Sequence, residues 1–197
     1  MTPELVLSLA GFAFATSVTP GPNNLMLLAS GVNFGLRRTV PHMLGISFGH
    51  ALMVFLVGMG LSGLFQTEPR AALALKLASV VYMVWLAWKI AHAAPVRPGA
   101  AAGQPFTALQ AAGFQWVNPK AWAMALTATA VYAPGGGAAA MAAVAAVFAA
   151  VNLPSVAVWA AAGQALRRWL EKGQRRLWFN RGMALLLVAS LWPVLRM

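Results

Sequence analysis

The sequence predicts an all-α integral membrane protein of six transmembrane helices, arranged as two inverted three-helix repeats with spans 1 and 4 broken at proline. Three observations predict it. Of the 197 residues, 60% are hydrophobic and only 9% are charged, with a mean hydropathy of +0.72; an ordinary soluble domain carries about 25% charged residues. Uncharged stretches of about 20 residues, long enough to cross a hydrocarbon core of about 30 Å, recur along the chain. A proline interrupts the first stretch of each half, in "TPGPNN" at Pro22 and in "QWVNPKAW" at Pro119.

Span 1, residues 4–29, follows "MTPEL", which carries Glu4 and no basic residue, so it is expected to stay as a helix rather than be cleaved as a signal peptide. Span 2 covers 41–64 after the connection "GLRRTV", and span 3 covers 71–92 after "QTEPRA". The Pro/Gly/Ala-rich "APVRPGAAAGQP" then bisects the chain. Span 4 covers 106–132, span 5 covers 138–163 beyond the turn "APGGGA", and span 6 covers 178–196 beyond the basic connection "RRWLEKGQRRLWFNR". The organisation is a first repeat over 1–92, a cytoplasmic linker over 93–105 and a second repeat over 106–197. Three spans per half force the second half to sit upside down relative to the first, as in many transporters.

Charge orients the protein. The odd-numbered connections hold Arg37, Arg38, Lys89, Arg97, Arg167, Arg168, Lys172, Arg175, Arg176 and Arg181, against Arg70, Lys76 and Arg196 on the other side. By the positive-inside rule the odd connections are cytoplasmic, and both termini lie outside the cytoplasm of a bacterial inner membrane. The formal net charge of +11 is then mostly a topology signal. Anionic lipid is the expected neighbour of the basic run; nucleic acid is not, because the run is a short connection against a membrane rather than a solvated basic domain.

Backbone groups freed at a helix break cannot face lipid, so two breaks in corresponding spans imply one shared polar cavity near the midplane. The candidate site is therefore Pro20, Gly21, Pro22, Asn23, Asn24, Asn118, Pro119 and Lys120. Amides opening the half-helices after Pro22 and Pro119 carry partial positive charge that suits a carboxylate. Lys120 adds a full charge, and the asparagines offer donors and acceptors for a carboxylate and an ammonium together. A zwitterionic amino acid fits this inventory. The plainer alternatives are that the prolines only kink packed spans, that the asparagines only cap helices, and that Lys120 binds a freed carbonyl. "VNLPS", with Asn152 and Pro154, is a third interruption that either lines the cavity or packs.

Other classes find less support. The chain has no cysteine, three scattered histidines and no buried acid, so no enzyme is expected, and neither a metal nor a cofactor. No "GxxxxGK" run supports ATP hydrolysis. The alternative readings are a passive channel, which lacks a ring of selective groups, and an exporter of another small metabolite.

In "TPGPNN", "GISFG", "YMVWLAWKIAHA" and "FQWVNPKAW" the chain resembles the LysE/RhtB family of amino-acid exporters over nearly its whole length, and most of all the branch that exports cysteine and O-acetylserine. The resemblance implies six spans in the inner membrane and export driven by the proton motive force. One position departs from it: many members carry aspartate after the Pro-Gly-Pro, and here that residue is Asn23. The chain has no aspartate, and Glu4, Glu68 and Glu171 lie at span ends or in loops. A cationic substrate side chain would find no acid to pair with, so small neutral amino acids or close derivatives are expected. Proton coupling would then fall to His50 in span 2. The small-residue spacings Gly31/Gly35 and Gly45/Gly49 serve close helix contacts either within one subunit or in a homodimer.

Overall fold

The computed structural model describes residues 1–61, 68–92, 104–170 and 174–192. Helices account for most of them, and no strand occurs among the described residues. The helices are α1 (Pro3–Val18), α2 (Pro22–Phe34), α3 (Leu36–Leu56), α4 (Pro69–Ala91), α5 (Ala108–Phe114), α6 (Pro119–Tyr132), α7 (Ala138–Leu170) and α8 (Arg175–Ala189). A π-helical turn, Val57–Leu61, extends α3, and a 3-10 turn, Gln115–Val117, joins α5 towards α6. Most of the expected linker, residues 93–103, lies outside the described residues.

Among the described residues, three helices are long and apolar enough to cross a membrane: Leu36–Leu61, Leu73–Ala91 and Ala138–Leu170. A fourth crossing arises if α1 and α2, which meet at 58°, form one bent span. The 15 residues of α8 reach only about 22 Å at 1.5 Å per residue. The surface agrees with a lipid setting: Leu7, Val81 and Leu185 are each at least 70% exposed, beside exposed Phe14, Phe48, Leu77 and Val158. So many exposed large apolar side chains are foreign to a soluble monomer.

The long helix α7 is the spine, packing against α1, α2 and α3, while α4 packs chiefly on α8. The α2–α7 crossing is close because glycine stands on both sides of it. A Cβ on Gly31 would run into the Ala160 carbonyl, and one on Gly163 into the Leu28 carbonyl. Gly45 and Gly49 likewise bring α3 onto the backbone of α5 at Ala108 and Ala112. These glycines are thus used within the chain, as small residues at membrane helix crossings are. Gly35, at φ 81°, turns the chain from α2 into α3 in a left-handed conformation that suits glycine.

Two sequence expectations need correcting. The basic run between spans 5 and 6 is mostly helix, since α7 continues to Leu170 and α8 starts at Arg175. Two of its arginines lie over indole rings, the Arg175 guanidinium 4.7 Å from the Trp169 ring centre and that of Arg181 5.4 Å from Trp178. The helix of span 2 starts at Leu36, before Pro41 rather than at it, and takes Arg37 and Arg38 into its first turn.

Candidate functional site

The interruption between α1 and α2 strips the last carbonyls of α1 of helical partners, and side chains from three other segments replace them. The Asn24 amide donates to the Ser17 and Thr19 carbonyls, both at 2.8 Å. The Trp159 indole donates to Val18 at 3.0 Å. The Lys120 ammonium donates to the Thr19 carbonyl at 2.8 Å, the Thr19 hydroxyl at 2.9 Å and the Pro20 carbonyl at 3.4 Å. An ammonium has three protons, so in this conformation Lys120 is fully used as a bracket over the break. Gly21 makes room for it: a Cβ there would sit 2.9 Å from Lys120 Cδ.

On the other side of the break, Pro22 takes the first position of α2, where a missing N–H costs nothing, and no side chain caps this end. The next side chain, Asn23, forms a reciprocal amide pair with Gln115. Asn23 Nδ2 donates to Gln115 Oε1 at 2.8 Å, and Gln115 Nε2 donates back to Asn23 Oδ1 at 3.2 Å. Gln115 is fully buried and also donates to the Ala111 carbonyl at 2.8 Å.

The α5–α6 interruption is handled locally. Pro119 opens α6, and Asn118 caps it, its Oδ1 accepting the Lys120 amide at 3.2 Å. The Asn118 carbonyl accepts the amides of Ala121 and Trp122. The start of α6 therefore has its first amides engaged.

Between the two interruptions lies a polar pocket lined by Thr16, Ser17, Gly21, Asn23, Asn24, His50, Gln115, Asn118, Lys120, Ala121, Met124, Asn152 and Val156. Of the residues singled out from the sequence, Gly21, Asn23, Asn24, Asn118, Lys120 and His50 meet here, whereas Pro20, Pro22 and Pro119 shape the adjoining backbone without lining the pocket. Asn152 of α7 resolves to a lining residue: it accepts from Ser47 and donates to Ser17, both at 2.9 Å, so it ties α1, α3 and α7 together. Gln115 escaped the sequence reading, although a polar side chain within an apolar span is itself a signal at membrane depth.

His50 is 2% exposed, meets Phe148 edge-on at 5.3 Å between ring centres, and has no hydrogen-bond partner on either ring nitrogen. Buried polar atoms are nearly always partnered, so an imidazole on a pocket wall with no protein partner stands out. None of the lining residues is acidic. The space within it is about 20 Å³, room for one water, so in this conformation the pocket is closed to anything larger.

A helical membrane protein with a closed polar pocket where two interrupted helices meet belongs to the class of multi-pass translocators. Residues 14–190 match the family model described as LysE type translocator, and the chain belongs to the LysE family. It is 34% identical over 133 residues to the "Cysteine/O-acetylserine efflux protein" of Escherichia coli (strain K12), covering 67% of each chain. It is 31% identical over 132 residues to the protein so named from Klebsiella pneumoniae, again covering 67% of each. Those relatives are named for efflux, and the family to which the chain belongs is one of translocators. No solved structure matches.

Proposed function

We propose that the protein exports small neutral amino acids or close derivatives, of the cysteine, O-acetylserine, homoserine or threonine type, from the cytoplasm by proton-driven alternating access. The observation that carries this reading is the pocket: it mixes cationic, donor and acceptor groups, includes no acid, and is walled by both halves of the chain. A zwitterion satisfies such a set, whereas a lysine or arginine side chain would bring a charge with nothing to pair it. The names of the efflux relatives support the same substrate class.

In this reading the six-span inverted repeat stands, α1–α2 and α5–α6 being the broken spans, with residues 1–92 and 106–197 as the two halves and 93–105 as a cytoplasmic linker. The termini lie outside the cytoplasm of the inner membrane. The closed conformation is an intermediate of the cycle. When the halves separate, the substrate carboxylate takes up the uncapped start of α2 and the Lys120 ammonium, displacing its weakest contact, the 3.4 Å bond to Pro20. The ammonium of the substrate meets the side-chain oxygens of Asn23 and Asn118 in place of their present partners. His50, unpartnered on the same wall, carries the proton.

The experiment is efflux from cells loaded with a dipeptide mixture, every amino acid outside being quantified over minutes. Cells making the protein should release small neutral amino acids selectively, and cells making Lys120→Ala at matched membrane levels should not. Release unaltered by Lys120→Ala rejects the site, and no selective release of any amino acid rejects the substrate class. In the same assay His50→Asn should uncouple release from the pH gradient; normal coupling removes His50 from the mechanism.

A further inference from the structure

A second cavity, of about 320 Å³, lies between α2, α3, α4 and the segment leading into α5. Sixteen times the space of the closed pocket, it falls in the usual range of small-molecule sites. It sits at the ends of α2 and α4 that border the first and third connections, where Phe34 and Lys89 line it together with Gln104, Pro105 and Gln110. Its walls are amphiphilic. Tyr82, Trp85 and Phe106 give aromatic surface, and Lys89 Nζ lies 4.6 Å from the Trp85 ring centre.

Two of its polar residues are buried and incompletely partnered. His42 is 1% exposed, lies 5.3 Å from the Phe106 ring centre with the rings tilted at 51°, and has no partner on either ring nitrogen. Asn33 is 6% exposed; its amide nitrogen donates to the Ala29 carbonyl at 2.8 Å, but its Oδ1 accepts nothing. Native folds rarely leave such atoms without a partner unless water, an ion or a ligand supplies one. The neighbouring Ser30, by contrast, is settled by Thr39 at 2.9 Å. No acidic residue lines the cavity.

We infer that this cavity is a second binding site for an amino-acid zwitterion, a loading site that holds the substrate on the cytoplasmic side before it reaches the closed pocket. Lys89 takes the carboxylate, Asn33 Oδ1 and the acceptor nitrogen of His42 take the ammonium, and the aromatic wall takes an uncharged side chain. Met26, which lines this cavity, follows directly on Asn24 and Leu25 at the start of α2, so the path from one site to the other runs along a single helix. The inference rests on the exporter reading for its direction, and on the cavity alone for its ligand.

The absence of cysteine from the chain makes a direct test possible. Ile90→Cys places a single thiol in the cavity wall, and its reaction with a membrane-impermeant maleimide is followed in inside-out and right-side-out vesicles, with and without L-homoserine as probe. The thiol should react in inside-out vesicles only, and L-homoserine should slow the reaction several-fold. Adding Lys89→Met should abolish that protection, whereas adding Asn23→Leu, in the other pocket, should leave it. An unchanged rate with the probe overturns the inference, as does reaction only from the opposite face. Reaction that appears only after detergent extraction also overturns it, because lipid then fills the crevice. Export by the wild-type protein without protection of the thiol refutes the loading site alone, and protection without export refutes the exporter reading alone.

Discussion

The interruption between α1 and α2 borrows its hydrogen-bond donors from distant parts of the chain, whereas the one between α5 and α6 supplies its own. At the first, Lys120 of α6 and Trp159 of α7 hold carbonyls that α1 lost, and Gln115 holds Asn23. At the second, Asn118 caps the helix it precedes. The same proline-based device thus has two consequences. A break that satisfies itself is rigid and can move as a unit. A break held by another segment is stable only while the two stay together, so separating them frees several polar groups at once, and a ligand able to replace the lost partners favours the open form.

The largest perturbation should come from the seam on which both breaks depend. Gly31→Leu drives a side chain into the Ala160 carbonyl and should cost about 3 kcal/mol or more, the upper range for overpacking. Little folded protein should be recovered in detergent, as read by size-exclusion fluorescence. Next, Lys120→Met leaves the exposed Thr19 hydroxyl and Pro20 carbonyl without their protein donor, at about 0.5–1.5 kcal/mol for each hydrogen bond lost. The melting temperature should fall, and export should be lost. The equivalent insult at the second break is milder: Asn118→Ala removes a helix cap worth about 1 kcal/mol, so its melting temperature should fall less than that of Lys120→Met. A larger fall for Asn118→Ala would reverse the contrast between the breaks.

The amide pair sharpens the contrast further. Asn23→Leu or Gln115→Leu each strands its partner in a buried site and should destabilise by about 1–3 kcal/mol, whereas the double apolar variant should approach wild-type stability, because removing both partners is nearly neutral. Additive losses in a double-mutant cycle would mean that the two side chains do not act as a pair.

Much of this was legible in the sequence, and the limits are physical. Composition and apolar length announced a helical membrane protein, and paired prolines pointed to the segments that now surround the pocket. Asn23, Asn24, Asn118 and Lys120 could be found because each is within two residues of a helix-opening proline. Gln115 and Ser47 were not found, since their roles depend on which helices cross, and that depends on where glycine allows backbones to touch. The helical course of the basic run was missed for a related reason: charge counts as a loop signal in a window average, while long arginine stems can lie along apolar surface and keep a helix going. The second cavity had no signature at all, for Asn33, His42 and Lys89 stand on three different helices.

The central claim is that the substrate binds in the pocket between the breaks during export. The most direct test is counterflow in proteoliposomes: vesicles preloaded with unlabelled L-homoserine take up the labelled form through the wild-type protein or through the Asn23→Leu/Gln115→Leu double variant, after the two are shown to melt alike. Counterflow by the wild-type protein and none by the double variant is the expected result, because a folded protein would then have lost only its polar grip on the zwitterion. Counterflow by the double variant at the wild-type rate would contradict a substrate site in this pocket.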